Sequence, residues 1–173
     1  MPHRRTFVLS IISSCLILTG FFSGCGWQKN RVHNEVMWYS IQLPDFWAKS
    51  KSYSLNYDIY ASPSGGARDF YGAEISVGLT TAGRDTNIMS ERRRILRTNQ
   101  PIQEQGRIMI AGRHAEWLIY KHGDITTLQY LIEVEERDLV YNVYCSASQS
   151  FSEYRSAFDT AIKSIRFDAM KKK

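Results

Sequence analysis

Apolar and polar residues alternate with a period of two through most of this chain, and each such run predicts a half-buried strand. The first is Tyr39-Ser40-Ile41-Gln42-Leu43, ended by Pro44, which cannot donate to a strand ladder. Phe46 and Trp47 follow in a turn. A second strand sets Tyr53, Leu55, Tyr57 and Ile59 on an inward face, against Ser54, Asn56, Asp58 and Tyr60 on the polar one. Ser62-Pro63-Ser64-Gly65-Gly66 is a loop by composition. Ala73, Ile75, Val77 and Leu79 share one face of a third strand. The period then changes. Over Asn87–Asn99, Ile88 with Ile95 and Met89 with Leu96 recur at seven-residue spacing, which predicts an amphipathic helix stopped by Pro101.

A fourth strand covers roughly Ile102–Ile110, and Gly112 marks a turn. Ala115, Trp117 and Ile119 face one way on a fifth strand, and Gly123-Asp124 breaks it in the manner of a hairpin. A sixth strand points Leu128, Tyr130, Ile132 and Val134 inward, and a seventh points Tyr141, Val143 and Cys145 inward. Ser150-Phe151-Ser152-Glu153 reads as a capping box opening a last helix. Its apolar stripe is Phe151, Tyr154, Phe158, Ile162 and Ile165. The opposite face of the sixth strand carries Thr127 and Leu131, so it is not fully wet. The expected fold is therefore α+β: a mostly antiparallel sheet of six or seven strands, covered by helices on both sides.

The N-terminus has a different pattern. Arg4 and Arg5 precede an apolar run from Phe7 to Phe22, and small residues follow. A transmembrane helix needs about 20 apolar residues. This run is shorter and carries Ser10, Ser13, Ser14 and Thr19, so it reads as a cleaved signal peptide. Ser23-Gly24-Cys25 resembles the lipobox of bacterial lipoproteins, with Phe22 where that family favours Leu. The resemblance implies cleavage before Cys25, whose sulfur carries a diacylglyceryl group. Two acyl chains suffice for stable anchoring. Gly26 stands where an Asp would signal inner-membrane retention in enteric bacteria. The chain then divides into a signal peptide (1–24), a lipidated Cys25 with a polar tether (25–35), a globular domain (36–168) and a basic tail (169–173).

Charge narrows the function classes. The whole chain carries +5, but two of its 22 basic residues leave with the signal. That leaves 20 basic against 17 acidic side chains, and Lys171-Lys172-Lys173 accounts for the excess of three. A near-neutral domain is not a nucleic-acid binder, which needs a clustered basic face. Cys145 is the one cysteine left beside Cys25, so no internal disulfide forms and stability rests on the core.

Several groups of residues together resemble the PsbP-like and DcrB-like group of small exported or extrinsic proteins. They are Tyr39-Ser40-Ile41-Gln42-Leu43-Pro44 with Trp47, Gly112 with Ala115, Tyr141-Asn142-Val143-Tyr144, then Phe151, Tyr154 and Phe158, and last Ser164-Ile165-Arg166-Phe167. The resemblance spans about 36–168. It implies an α/β/α sandwich around an antiparallel sheet, without enzymatic activity in most members. The shared positions are mostly core and turn, so they speak to fold more than to function.

Candidate chemistry is sparse. His114, Glu116, His122 and Asp124 invite a metal reading, but His114 and His122 lie roughly 26 Å apart along a straight strand. A solvated or half-buried strand face explains them better. No G-x-S-x-G elbow and no phosphate loop is present. Cys145 sits among apolar neighbours, where a thiol is inert packing. Arg92, Arg93, Arg94 and Arg97 form a dense basic patch on the first helix, and Phe70-Tyr71 sits in a loop; both are candidate partner-binding positions. The expectation is a non-enzymatic lipoprotein, held by Cys25 in a cell membrane and facing outside the cytoplasm, on the periplasmic or extracellular side. It needs no cofactor or metal and binds another envelope protein. The alternative is a carrier for a glycan, peptide or lipid.

Overall fold

A computed structural model describes residues 30–50, 57–67, 72–81, 90, 92, 101–148 and 150–168. Its strands are β1 (Arg31–Asn34), β2 (Tyr39–Gln42), β3 (Ala48–Lys49), β4 (Tyr57–Ala61), β5 (Ala73–Thr81), β6 (Ile102–Ile110), β7 (Arg113–His122), β8 (Ile125–Val134), β9 (Leu139–Ala147) and β10 (Arg166–Phe167). The helix α1 spans Phe151–Lys163. Seven strands form one antiparallel sheet in the order β3-β4-β5-β9-β8-β7-β6. Three more form a second sheet, β1-β2-β10.

The strands form where alternation places them. Ala73, Ile75 and Val77 on β5, Leu128, Tyr130 and Ile132 on β8, and Tyr141, Val143 and Cys145 on β9 are all buried on one face. Cross-strand register brings them side by side: Ile75 opposite Cys145, which lies opposite Leu128, and Val77 opposite Val143, which lies opposite Tyr130. Onto this face α1 lays Phe158, Ala161 and Ile162, and the small sheet lays Met37, Tyr39 and Ile41. Trp47 stands edge-on to Tyr154 and Phe158, with ring centroids 6.3 and 6.1 Å apart. Burying each such large apolar side chain contributes about 1.5–3 kcal/mol.

β8 is buried on both faces through most of its length, as Leu131 and Thr127 foretold. On the second face Leu118, Leu131 and Val140 form a small apolar cluster beside a polar ladder. In that ladder Thr127 bonds Ser146 at 2.9 Å, and the Gln129 amide donates to Asn142 at 3.1 Å. Of the predicted helix Asn87–Asn99, only Ser90 and Arg92 fall within the described residues; both are helical. Arg92 reaches this second face, bonding Glu116 and Gln105.

Four local expectations are corrected. Arg31–Asn34, expected within the polar tether, is a strand; β1 pairs with β2 from Arg31–Gln42 to Asn34–Tyr39. The opening strand joins this second sheet, not the large one. On β4 the inward face is reversed: Asp58 and Tyr60 are buried, while Tyr57 and Ile59 are half-buried. The period of two was right, but partners on β2 and β3 satisfy the Asp58 carboxylate, so the charged face turns inward. Tyr53 and Leu55 lie outside the described residues. Finally, Ser150 makes no side-chain cap. Its backbone is left-handed, with φ 55°, and the Glu153 amide donates to the Ser150 carbonyl at 2.8 Å instead.

Candidate functional site

Three turns gather at one end of the fold: 35–38 between β1 and β2, Ala111-Gly112 between β6 and β7, and 135–138 between β8 and β9. Each contains a non-glycine residue in the left-handed region: Trp38, Ala111 and Asp138. Trp38 is 46% exposed and Val36 is 57% exposed, in a fold that buries most of its large apolar side chains.

The surroundings of Trp38 are fixed by chemistry. The Arg137 guanidinium lies 5.5 Å from the centroid of the Trp38 ring. The same guanidinium donates to the Asp168 carbonyl and, at 3.4 Å, to the Tyr141 hydroxyl. The Asp168 amide donates to the Trp38 carbonyl at 3.0 Å. Tyr141 donates its hydroxyl to the Met37 carbonyl at 2.5 Å and packs on Phe167 with centroids 4.7 Å apart. Burial raises the Tyr141 phenol above its ordinary value, so it stays a donor. Arg113 sits over the Phe167 ring at 5.5 Å and grips Glu136 with both terminal nitrogens. That paired hydrogen bond holds the Glu136 carboxyl below its usual range. His33 meets Asp168 at 2.6 Å. The result is a braced end from which Trp38 and Val36 project. A rigid aromatic group with an arginine stacked on it suits protein recognition, where Trp and Arg dominate binding energy.

A second polar constellation is buried. Asp58 accepts from Lys49 at 2.5 Å, from the Tyr39 hydroxyl at 2.7 Å, from the Tyr60 hydroxyl at 3.2 Å and from the Asn34 amide. Burial pushes its pKa up, but the bonds from Lys49, Asn34 and Tyr39 outweigh that and hold it below the ordinary value. Tyr39 and Tyr60 meet at 2.7 Å, and burial raises both phenols. Every member is partnered within the cluster, with the Lys49 side chain half-exposed at its rim, so the cluster ties the two sheets together.

The open clefts are shallow. One, of about 510 Å³, runs between α1 and the β2–β3 turn and is lined by Leu43, Pro44, Asp45, Glu153, Ala157 and Thr160. Another, of about 370 Å³, lies on the second sheet face beside Tyr57, Glu74, Tyr120, His122, Thr127 and Tyr144.

The candidates drawn from sequence fare differently. Cys25, Phe70, Tyr71, Arg93, Arg94 and Arg97 lie outside the described residues. Arg92 is not a free surface cation: its guanidinium bonds Glu116 at 3.2 Å and Gln105 at 2.6 Å. Glu116 also accepts from Arg107 at 3.2 Å, so two arginines engage it and it does not pair with His114 as a ligand set. Among the described residues, no three His, Cys, Asp or Glu side chains converge to hold a metal ion. Cys145 is fully buried, and burial raises its thiol pKa. In the sequence Trp38 stands only as one of several aromatic residues in the first half, with Phe46, Trp47, Tyr60, Phe70 and Tyr71, for which core packing or loop anchoring is the default reading. The signal available was Val36-Met37-Trp38, three large apolar residues in a row, which a half-buried strand cannot hide together.

No protein-family model and no curated protein matches the chain. Solved structures do. Cyanobacterial PsbP (CyanoP) from Synechocystis is 15% identical, with 86% of this chain and 98% of that one covered, at a TM-score of 0.60. LpqN of Mycobacterium tuberculosis, described as involved in cell envelope biogenesis, is 16% identical, with 80% and 90% covered, at 0.57. The Saccharomyces cerevisiae Ran-binding protein Mog1p is 7% identical, with 79% and 94% covered, at 0.55. At these identities the likeness speaks to fold: the chain has the PsbP-like fold that its strand pattern resembles. Among the described residues no helix is long and apolar enough to cross a membrane.

Proposed function

We propose that this protein is a non-catalytic binding module of the cell envelope, tethered through lipid on Cys25, and that it grips a protein partner with its Trp38 end. The observation that carries the reading is the pair of exposed apolar side chains, Val36 and Trp38, on a turn that Arg137, Tyr141 and Asp168 hold in place. Preorganised aromatic groups bind with little ordering cost. Ser23-Gly24-Cys25 after an apolar run supports the tether. The fold is shared with a Ran-binding protein and with a protein of envelope biogenesis, which supports a binding role in the envelope.

A photo-crosslinking residue at position 36 or 38, in the full chain in its own membrane, tests this. One protein captured from both positions and absent from position 48, an exposed site on β3, supports the reading. Equal capture from all three overturns it. Phe70, Tyr71, Arg93, Arg94 and Arg97 are the second set of positions to probe.

A carrier role is the second reading. It is favoured by the cleft beside Tyr57, Tyr120, Tyr144, Glu74 and His122, whose volume falls within the usual ligand range of roughly 300–1,000 Å³. Soluble glycans that shift the His122 ring resonances would support it; unchanged resonances at saturating glycan would count against it.

A further inference from the structure

The described residues begin, at Asn30, beside the most exposed large apolar side chain among them, Phe46, at 87%. The Asn30 carbonyl accepts from the Leu43 amide at 3.0 Å, and the Asn30 side chain donates to Asp45 at 2.9 Å. Asn30 is thereby clamped to the β2–β3 turn, whose tip is Phe46. Phe46 has a left-handed backbone, with φ 67°, in a turn closed by the Trp47 amide on the Pro44 carbonyl. Its neighbour Trp47 packs inward on α1, so Phe46 is left pointing out.

Four residues separate Cys25 from Asn30, and the five Cα steps reach about 18 Å at full extension. They include Trp27 and Lys29, the residue types that favour a membrane interface. We infer that Phe46 and the Pro44-Asp45-Phe46 turn rest on the lipid surface into which Cys25 is anchored, setting the orientation of the domain on the bilayer. The inference rests on the lipid tether proposed above. The short leash keeps this turn, bonded to Asn30, close to the membrane. A single side chain inserted beside the Asp45 carboxylate goes no deeper than the headgroup region, since hydrocarbon would strip that charge of its water. The β1–β2 hairpin runs from Asn30 toward Val36 and Trp38, roughly 13 Å along its strands, which places these two residues at the other end of the hairpin from the Phe46 turn.

The test uses the full lipidated chain reconstituted in phosphatidylcholine–phosphatidylglycerol vesicles, with Phe46→Cys or Val36→Cys carrying an environment-sensitive dye. Cys145 is fully buried, and lipidated Cys25 is blocked, so the dye reads one site. At position 46 we expect blue-shifted emission, quenched more by a doxyl label near the headgroup than by one near the chain end. At position 36 we expect neither. Unchanged circular dichroism verifies that both variants fold. If mass spectrometry finds Cys25 diacylated and position 46 is no more quenched than position 36, this inference fails and the tether survives. If Cys25 is unmodified, the tether fails and the inference falls with it.

Discussion

The Tyr39 hydroxyl and the Asp58 carboxylate meet at 2.7 Å across the junction between the small sheet and the large one. Tyr39 comes from β2 and Asp58 from β4, and both are buried. A hydrogen bond to a charged acceptor contributes about 1.5–3 kcal/mol. Tyr39→Phe keeps the ring and removes the donor to Asp58. We expect it to lower unfolding stability by about 1–3 kcal/mol in a urea titration. Asp58→Ala removes the acceptor shared by Tyr39, Tyr60 and Asn34, several charge-assisted bonds of about 1.5–3 kcal/mol each, with an expected loss of about 3–5 kcal/mol. A smaller loss for Asp58→Ala than for Tyr39→Phe would show that the cluster does not act as a tie.

The same carboxylate sets an acid limit. Its folded pKa lies below the ordinary value of 3.8. A depressed folded pKa contributes stability that is complete above the unfolded value and is lost as pH falls through the folded one. Stability should therefore fall on the acid side of about pH 4, where the unfolded carboxyl titrates. Urea midpoints measured downward from neutral pH will show the fall in the natural protein and a flatter profile in Asp58→Asn. The Glu136 carboxyl is shifted the same way by Arg113, but it is exposed and screened, so Glu136→Gln should change the profile little.

Ser150 provides a sharp contrast between pattern and geometry. A working Ser cap is worth about 1 kcal/mol, and that would be lost on Ser150→Ala. Here the side chain makes no cap bond and φ is 55°. We expect Ser150→Gly to be neutral or stabilising, because glycine enters the left-handed region without a Cβ clash. A thermal melt that shows Ser150→Gly destabilised by more than Ser150→Ala would contradict this geometry.

Phe46 follows the same logic with a functional twist. A non-glycine residue in the left-handed region costs roughly 1–2 kcal/mol. Its ring is almost wholly exposed, so little packing is lost on removal. Phe46→Gly should raise stability by up to about 1 kcal/mol, less whatever the freer unfolded chain takes back. A drop in the melting temperature would mean that the ring is packed after all.

Much of the large sheet was legible from alternation alone. Ala73, Ile75 and Val77, then Leu128, Tyr130 and Ile132, face the core where a period of two puts them, and the Phe158–Ile162–Ile165 stripe docks on them. Gly123-Asp124 was visible as a hairpin because its turn chemistry is local. What stayed hidden depends on partners distant in sequence. Asp58 reads as polar until Lys49, Asn34 and Tyr39 are seen around it. β1 contributes only Val32 as an apolar residue and is never fully buried, so it has no pattern to read. Nothing in Tyr39-Ser40 announces that β10 will pair with it. The braced Trp38 end escaped for the same reason: Arg113, Arg137, Tyr141, Phe167 and Asp168 are scattered along the second half of the chain and meet only in the fold.

β2 lies between β1 and β10, with Ser40 opposite both His33 and Arg166. The opening hairpin thus waits for Arg166 and Phe167, far along the chain, before its free edge is covered and His33 finds Asp168. Synthesis must pass Phe167 before this domain can close. Until then the β2 margin that β10 will cover lacks its hydrogen-bonded neighbour, and the small sheet is held by one hairpin alone.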